Sequence, residues 1–305
     1  MSSGSGPVDV LERRLIASQL PSGGWGFRCS ASQAAFEPTC LALLALRHHL
    51  GEPLDRGLRF LFASQNPNGS WPAFSGDDRE GSWTTALAVT TLVNCGDVTP
   101  AIARGLRWLL NSKGRESHWL WRWKFRTADT HVRFNPDKFG WPWIPETCSW
   151  VVPTAFSLLA LKQSFVCCQS GEVRFRIRRG VEMLLDRACS EGGWNAGNGI
   201  VYGVPLAAHI DATATALLAL RGEAQDETIT KSLDWLERRA QGCAAPWGLA
   251  WAILALDAYG HSTEALTTRL AAFSCDGAVG DCATLAAALL ALECPTRGNV
   301  FQVTS

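Results

Sequence analysis

A carboxylate lies between an imidazole and a hydroxyl in segment 209–213, which reads His-Ile-Asp-Ala-Thr. His209 is two residues from Asp211, close enough to hydrogen-bond its carboxyl, and as an imidazolium it would lower the pKa of that carboxyl. General acid catalysis requires one positioned proton donor of this kind. The spacing therefore predicts a site in which Asp211 donates a proton while His209 and Thr213 orient it. A second interpretation stays open, because carboxylates and threonines at helix starts also cap free backbone N–H groups.

The position of this acid in the fold can be inferred from six apolar segments. Each ends in Leu-Ala-Leu or a close variant and is apolar on nearly every side, which is typical of helices buried all round; they are 39–46, 85–92, 154–161, 213–220, 249–256 and 285–292. Amphipathic segments precede them, with apolar residues at i, i+3 and i+4. Because an all-apolar helix cannot face water, we expect an inner ring of six helices inside an outer ring of six. The predicted fold is an all-α, α6/α6 toroid, which closes on itself.

The spacing of these segments predicts one domain with one insert. Leu256 and Leu292 end consecutive segments 36 residues apart, whereas Leu92 and Leu161 are 69 residues apart. We therefore expect a single toroid domain over residues 1–296, with an inserted loop at 112–150 between the third outer and third inner helices. Residues 297–305 are expected to form a flexible tail.

Aligning the six inner helices brings more chemistry to one mouth of the toroid. The aligned positions at the helix starts hold carboxylates, one imidazole and three indoles, namely Glu37, Trp83, Trp150, His209, Asp211, Trp247 and Asp281. An indole face stabilises a desolvated cation by ~0.5–2 kcal/mol. The mouth is therefore suited to carbocation chemistry, although Glu37 could equally be only a helix cap.

Turns of one pattern recur before the inner helices. Segments 19–25 and 65–71 both begin with Gln and end in a Gly-rich turn followed by Trp, and 191–194 is a weaker copy. A repeated turn indicates a repeated structural unit. We expect the tryptophans of these turns to wedge one helical hairpin against the next; they are Trp25, Trp71 and Trp194.

The toroid and its turns resemble the terpenoid cyclase and protein prenyltransferase superfamily. The turns look like the QW repeats of squalene–hopene and oxidosqualene cyclases, in which an Asp of a D-x-D-D-T-A motif protonates an alkene or epoxide. Asp211, with Thr213 and Ala214 after it, is similar to that motif, while His209 and Ala212 replace its first and third carboxylates. The resemblance implies a class II-type terpenoid cyclase, an isomerase that protonates an isoprenoid in the toroid cavity.

Two other functions are compatible with the sequence. One is a non-catalytic toroid that binds a lipid or a peptide, and the other is a prenyltransferase-like enzyme that uses prenyl diphosphate. Arg122 and Arg126 in the insert could hold a diphosphate, because guanidinium groups match phosphate oxygens. Asp129 and Asp137 nearby favour a solvated loop instead.

No cofactor is expected. The prenyltransferases bind zinc through an Asp-x-Cys pair, but Asp281 and Cys282 have no spacer between them, so a zinc site is not inferred. The pair Asp77 and Asp78 could suggest Mg²⁺, yet two carboxylates in a Gly-rich turn are usually only exposed. Neither metal is excluded by the residues alone.

The charge and the composition of the chain restrict the classes of partner that we expect. Lys and Arg together number 28, as do Asp and Glu, and the zero net charge argues against a nucleic-acid partner. No apolar run reaches the ~18 residues of a membrane span, and no signal-peptide layout begins the chain. We therefore expect a cytoplasmic protein whose eleven cysteines are reduced thiols. A lipid substrate would allow peripheral membrane contact, and a second subunit could close the site.

Overall fold

The computed structural model describes residues 6–49, 51–77, 79–96, 100–164, 170–224, 226–275 and 280–303. Almost all regular structure in these ranges is helical. The α-helices, numbered in chain order, are α1 (Pro7–Ala17), α2 (Phe36–Ala45), α3 (Glu52–Ala63), α4 (Thr84–Asn94), α5 (Pro100–Asn111), α6 (Trp119–Thr127), α7 (Val151–Ser164), α8 (Gly171–Asp186), α9 (Ile210–Leu220), α10 (Glu227–Gln241), α11 (Pro246–Ala258), α12 (Glu264–Cys275) and α13 (Cys282–Arg297). A 3-10 turn spans Arg115–Ser117, and a small antiparallel hairpin pairs β1 (Ile200–Val201) with β2 (Val204–Pro205).

Six helices form a closed inner ring. In order around the ring, α2, α4, α7, α9, α11 and α13 each pack against the next, and α13 packs back against α2. Most of their side chains are buried, as the all-apolar segments predicted. The outer helices α1, α3, α5, α8, α10 and α12 pack around them. The predicted all-α, α6/α6 toroid is confirmed.

The Gln–Gly–Trp turns join one hairpin to the next. The Trp25 indole Nε1 donates a hydrogen bond of 2.8 Å to the Leu15 carbonyl of the preceding outer helix, and its backbone N–H donates to Thr39 Oγ1 at 2.8 Å. Its ring packs against Gly57 of the following outer helix, where a Cβ atom would come within 3.0 Å of it. Trp71 and Trp194 repeat the indole bond to Leu61 and Leu184. The expected wedging role of these tryptophans therefore agrees with their contacts.

Trp141 is a fourth copy of this turn that the sequence pattern did not identify. Its indole donates a hydrogen bond to the Leu109 carbonyl at 2.7 Å, and its backbone N–H donates to Thr154 Oγ1 at 3.0 Å. The insert places 29 residues between the end of its outer helix and Trp141, so no Gln precedes it at the usual distance. Its neighbouring glycine, Gly140, is the remaining trace of the pattern.

The insert is ordered and anchored by two buried arginines. Arg176 lies 3.9 Å from the centroid of the Trp141 ring and donates a hydrogen bond of 2.8 Å to the Ser112 carbonyl. Arg187 forms an ion pair of 3.6 Å with Glu116, and both side chains are almost fully buried. Burial lowers the pKa of Arg176 to about 10, which leaves it charged at neutral pH.

The C-terminal tail is not loose, in contrast to the prediction. Phe301 is fully buried, with its ring centroid 5.2 Å from that of Trp251 and 6.2 Å from that of Phe156. The Gln163 side chain donates a hydrogen bond of 2.7 Å to the Val300 carbonyl. Two apolar residues in a short polar tail are enough to fill the end of the ring, because burial of a Phe side chain stabilises by roughly 1.5–3 kcal/mol. Residues 304 and 305 lie outside the described ranges.

Candidate functional site

Three carboxylates come together where the inner helices begin. Glu37 and Asp211 are each the second residue of an inner helix, α2 and α9, and Asp281 directly precedes α13. Burial raises the pKa of Glu37 from 4.5 to about 7, and the negative charges of Asp281 and Asp211 raise it further. Glu37 therefore lies within electrostatic range of both aspartates.

Glu37 is the most enclosed of these carboxylates. Its side chain keeps some solvent-accessible surface, yet neighbouring atoms surround it closely. No hydrogen bond reaches its carboxyl from the described residues. A buried carboxyl without donors favours its neutral form. With a pKa of about 7, Glu37 is about half protonated at neutral pH, and a helix cap would instead accept backbone N–H bonds.

Asp211 has a different environment. Its Oδ2 accepts a hydrogen bond of 3.3 Å from the indole Nε1 of Trp247, which lies on the next inner helix. The carboxyl is half-buried, and no backbone amide of its own helix is among its hydrogen-bond donors in the described chain. Asp211 thus contacts a neighbouring inner helix and does not cap its own helix.

His209 and Thr213 do not orient Asp211. Thr213 is fully buried, and its Oγ1 accepts a hydrogen bond of 2.9 Å from the Trp194 backbone N–H. Thr39 and Thr154 make the same bond to their own turns, so this is a structural role of the repeat. The His209 side chain is exposed, and within the described ranges no hydrogen bond links it to Asp211. The predicted orienting roles were wrong. Thr213 is bound to the turn before its helix, as the equivalent threonines of the other repeats are, and His209 faces solvent.

Asp281 caps the N-terminus of helix α13, which it directly precedes. Its Oδ1 accepts a hydrogen bond of 2.8 Å from the Thr284 backbone N–H at the start of α13. Its backbone pairs with Arg28 in a short antiparallel bridge. Asp281 therefore combines helix capping with a charge that acts on Glu37.

Indoles line the mouth, and aromatic rings fill the space beneath it. Trp83 packs edge-on against Trp143 at 5.2 Å between ring centroids, and Trp247 packs edge-on against Trp251 at 5.6 Å. Trp143 belongs to the insert and was not predicted as a site residue. Below them Phe156 and Trp251 are almost fully buried and contact Phe301. The centre of the ring beneath the mouth is thus packed with aromatic side chains.

Trp150 lies away from the carboxylates. Its ring packs against Gly197, where a Cβ atom would approach it to 3.0 Å, and it lines a cleft of about 110 Å³ together with Phe125 and Arg187. The repeat alignment placed its backbone correctly at the start of α7. Its side chain turns outward toward the insert, so it is not part of the mouth.

Arg122 and Arg126 do not form a free diphosphate site. Both guanidinium groups form ion pairs with Asp137, and Arg122 also donates a hydrogen bond of 2.9 Å to the Ser117 carbonyl. One carboxylate therefore compensates part of their positive charge within the insert and holds both guanidinium groups.

The described residues contain no group of three His, Cys, Asp or Glu side chains arranged to hold a metal ion. Asp78, one of the pair considered for Mg²⁺, lies outside the described ranges. Within those same ranges no helix combines the length and the apolar character needed to cross a membrane.

Helix α6 of the insert exposes an apolar face. Trp119 is 69% exposed, Leu120 is 47% exposed and Trp123 is 59% exposed. Lys124 and Arg126 lie in the last turn of the same helix. The sequence analysis did not identify this combination of apolar and basic side chains on one exposed helix.

The chain resembles known proteins both in sequence and in fold. No family model matches the chain. A squalene–hopene cyclase of Bradyrhizobium diazoefficiens is 27% identical over 205 residues, which cover 65% of this chain but only 28% of that cyclase. The aligned part therefore spans less than a third of that relative's length.

Two solved structures share the fold over most of the chain. An α-amylase from Clostridium perfringens superimposes with a TM-score of 0.65 at 10% identity, covering 96% of this chain and 99% of its own. The type II terpene cyclase MstE from Scytonema superimposes with a TM-score of 0.55 at 17% identity, covering 87% of this chain and 76% of its own. The chain is thus an α6/α6 toroid, similar over part of its length in sequence to a squalene–hopene cyclase and similar in fold to a type II terpene cyclase.

Proposed function

We propose that the chain is a type II-like terpenoid cyclase that protonates an isoprenoid at the toroid mouth, with Glu37 as the proton donor. The observation that supports the proposal is that Glu37, enclosed at the mouth beside the charges of Asp281 and Asp211, has a pKa raised to about 7. A general acid must hold its proton at the working pH, and a carboxyl with this pKa is about half protonated at pH 7. The sequence motif pointed to Asp211, but the environment favours Glu37 for this role.

The reaction would begin with transfer of the Glu37 proton to one carbon of an alkene. The π bond breaks, its electron pair forms the new C–H bond, and a carbocation remains on the neighbouring carbon while Glu37 becomes a carboxylate. Attack by a second double bond closes the ring, and loss of a proton gives a neutral isomer of the substrate. Indole faces would stabilise the cation by ~0.5–2 kcal/mol each, and Trp83 and Trp247 are the mouth residues that offer them.

Asp211 and Trp247 would support this acid. The indole N–H bond fixes the Asp211 carboxylate at 3.3 Å. The negative charge of Asp211 favours the protonated form of Glu37. Asp211 is therefore a positioning and charge-tuning residue in the proposed mechanism.

The substrate is expected to approach from a membrane surface through the exposed face of α6. Trp119 and Trp123 are the side chains that suit the interfacial region of a bilayer, and Lys124 in the last turn of the helix suits anionic headgroups. Vesicles with and without anionic lipid test this docking by cosedimentation. We expect binding to anionic vesicles that Trp119→Ser with Trp123→Ser reduces several-fold, whereas equal binding by that variant and by the unaltered chain would contradict it.

A second candidate function is binding of a lipid-like molecule without turnover. The packed centre of the ring favours it, because Phe156, Trp251 and Phe301 leave little depth for a long substrate. Such a protein would bind an isoprenoid at the mouth and release it unchanged.

Incubation with linear isoprenoids in D₂O separates these functions. A cyclase that starts by protonation incorporates one deuterium into each cyclic product, which mass spectrometry detects. We expect labelled product from the unaltered chain and at least a 100-fold loss in Glu37→Gln, since general acid catalysis contributes ~10²–10⁴. Glu52→Gln, at the exposed first turn of α3, is the matched control.

The roles of the two carboxylates are distinguished by Asp211→Asn. If Glu37 is the donor, this variant retains turnover, and the alkaline fall of its rate moves to lower pH because one charge that raises the pKa of Glu37 is gone. If Asp211 is the donor, Asp211→Asn is inactive and Glu37→Gln remains active. Binding without any labelled product would exclude the cyclase and support the second candidate.

A further inference from the structure

Two cysteines meet where the last inner helix closes the ring against the first hairpin. The Cys282 thiol donates to the Cys29 sulfur at 3.7 Å, and the Cys29 thiol donates to the Gly280 carbonyl at 3.6 Å. The backbone is held on both sides of this contact, because the Cys282 N–H donates to the Phe27 carbonyl at 2.8 Å and Arg28 pairs with Asp281. The two sulfur atoms therefore lie side by side on paired backbone segments.

We propose that Cys29 and Cys282 are a site of covalent modification by small-molecule disulfides, which joins them in a disulfide bond across the seam of the toroid. The seam is held otherwise by packing of α13 against α1 and α2. The new bond would enclose the 252 residues from position 30 to position 281 in one covalent loop. This proposal stands independently of the enzymatic one.

The accessibility of the two sulfurs sets the order of the reaction. Cys29 is half-buried, whereas Cys282 is fully buried, so Cys29 is the thiol that an external reagent reaches. Burial raises the pKa of the Cys282 thiol, and the neighbouring Cys29 adds to the shift. Cys282 therefore remains a thiol until a disulfide forms beside it.

Oxidised glutathione can serve as the oxidant in this thiol–disulfide exchange. The Cys29 thiolate attacks one glutathione sulfur, forms a mixed disulfide and releases one glutathione thiolate, which takes up a proton. Cys282 then loses its proton to solvent, and its sulfur attacks Cys29 to release the second glutathione. Two cysteine thiols are oxidised, and one glutathione disulfide is reduced to two thiols.

The bond would also restrain the candidate site. Asp281 precedes Cys282 and is the charged neighbour with the largest effect on the pKa of Glu37. A covalent link at Cys282 limits the movement of the α13 start and keeps Asp281 at the mouth. The greater effect is expected on stability, since closing a long loop removes conformational entropy from the unfolded chain.

The test is to incubate the folded chain with oxidised glutathione, block free thiols and digest with trypsin. We expect a cross-linked pair of peptides, 29–47 and 270–297, whose fragmentation places the bond at Cys29 and Cys282. The oxidised chain should melt about 5 °C or more above the reduced chain. Cys29→Ser should lose both the peptide pair and the rise in Tm.

Cys243 provides a matched control. It is also half-buried and also lies before an inner helix, but its thiol donates to the Ala245 carbonyl of its own loop at 3.5 Å. Cys243→Ser should keep the cross-link and the rise in Tm. A stable glutathione adduct on Cys29 without the peptide pair, or an unchanged Tm on cross-linking, would overturn the proposal.

Discussion

At the scale of single residues, two carboxylates in the same repeat position differ in chemistry because their neighbours differ. Asp211 accepts an indole N–H from Trp247 at 3.3 Å. Glu37 receives no such donor from the described residues and is enclosed beside two negative charges, which raise its pKa to about 7. The raised pKa therefore belongs to Glu37, although the sequence motif is centred on Asp211.

The titration of Glu37 predicts a pH-dependent effect on stability. Its pKa is about 7 in the folded chain and 4.5 ordinarily, so the folded state binds more protons between these values. The contribution of Glu37 to stability is complete below pH 4.5 and is lost as the pH rises through 7. Glu37→Gln should therefore be more stable than the unaltered chain at pH 8, by up to about 3 kcal/mol.

Urea unfolding at pH 8 and at pH 4.5 measures this difference. The two chains should have similar free energies of unfolding at pH 4.5, where Glu37 is mostly neutral in the folded chain. Glu52→Gln should show no such dependence, because Glu52 is exposed. An equal or lower stability of Glu37→Gln at pH 8 would contradict the assignment.

The sequence predicted which residues lie at the mouth, but not which of its carboxylates has a raised pKa. The repeat register brought Glu37, Asp211, Asp281, Trp83 and Trp247 to one end of the ring, and the structure agrees. It could not predict which acid holds the proton, since that depends on enclosure and on charges from helices far apart in the chain. The structural role of Thr213 was visible in principle, because Thr39, Thr85 and Thr154 occupy the same position.

At the scale of elements, the tryptophan turns connect each hairpin to the next through close packing on glycine. Gly180 of α8 accepts the Trp141 ring so closely that a Cβ atom would lie 2.8 Å from both Trp141 and Leu158. Gly57 and Gly105 occupy the same place in α3 and α5. A glycine at this position of the outer helix is therefore a packing requirement of the turn.

Gly180→Ala is expected to destabilise the chain by about 1–3 kcal/mol, because overpacking exceeds the gain in helix propensity. Gly171 in the same helix has no atom within 4 Å of an added Cβ, so Gly171→Ala is the matched control and should be neutral or slightly stabilising. Thermal unfolding of the two variants compares them directly. Equal stability of both would show that the turn does not pack as described.

The insert depends on its buried ion pair. Glu116→Ala removes the fully buried carboxylate from Arg187 and leaves it the more distant Asp186 as its ion-pair partner, which is expected to cost about 3 kcal/mol. Glu182→Ala breaks an exposed pair with Arg179 on the same helix and should cost less than about 1 kcal/mol. Limited proteolysis within residues 112–150 should accelerate only in Glu116→Ala. A comparable response of the two variants would argue against anchoring by Arg187.

At the scale of the whole molecule, the toroid is a scaffold shared by proteins of different chemistry. It superimposes on an amylase and on a terpene cyclase, so the fold alone does not decide the reaction. The apolar periodicity predicted the ring because a helix that is apolar on all sides has few other ways to be buried. The tail escaped prediction, since Val300 and Phe301 form no periodic pattern and their contacts lie across the ring.

Phe301→Ala tests whether the tail closes the ring. Truncating this fully buried ring should destabilise the chain by about 3–5 kcal/mol. Val303, which is only partly buried, supplies the control variant Val303→Ala with a smaller expected loss. Chemical denaturation measures both values. A loss below about 1 kcal/mol in Phe301→Ala would mean that the tail is dispensable for the packed centre of the ring.

The most direct measurement is an infrared titration of the carboxyl groups in the unaltered chain and in Glu37→Gln. The difference spectrum should contain a protonated carboxyl band at pH 6 that disappears as the pH rises through about 7. Asp211→Asn should retain that band and lose it at a lower pH. Absence of a band attributable to Glu37 at pH 6 would mean that the mouth holds no proton-bearing acid, and the proposed protonation would have no donor.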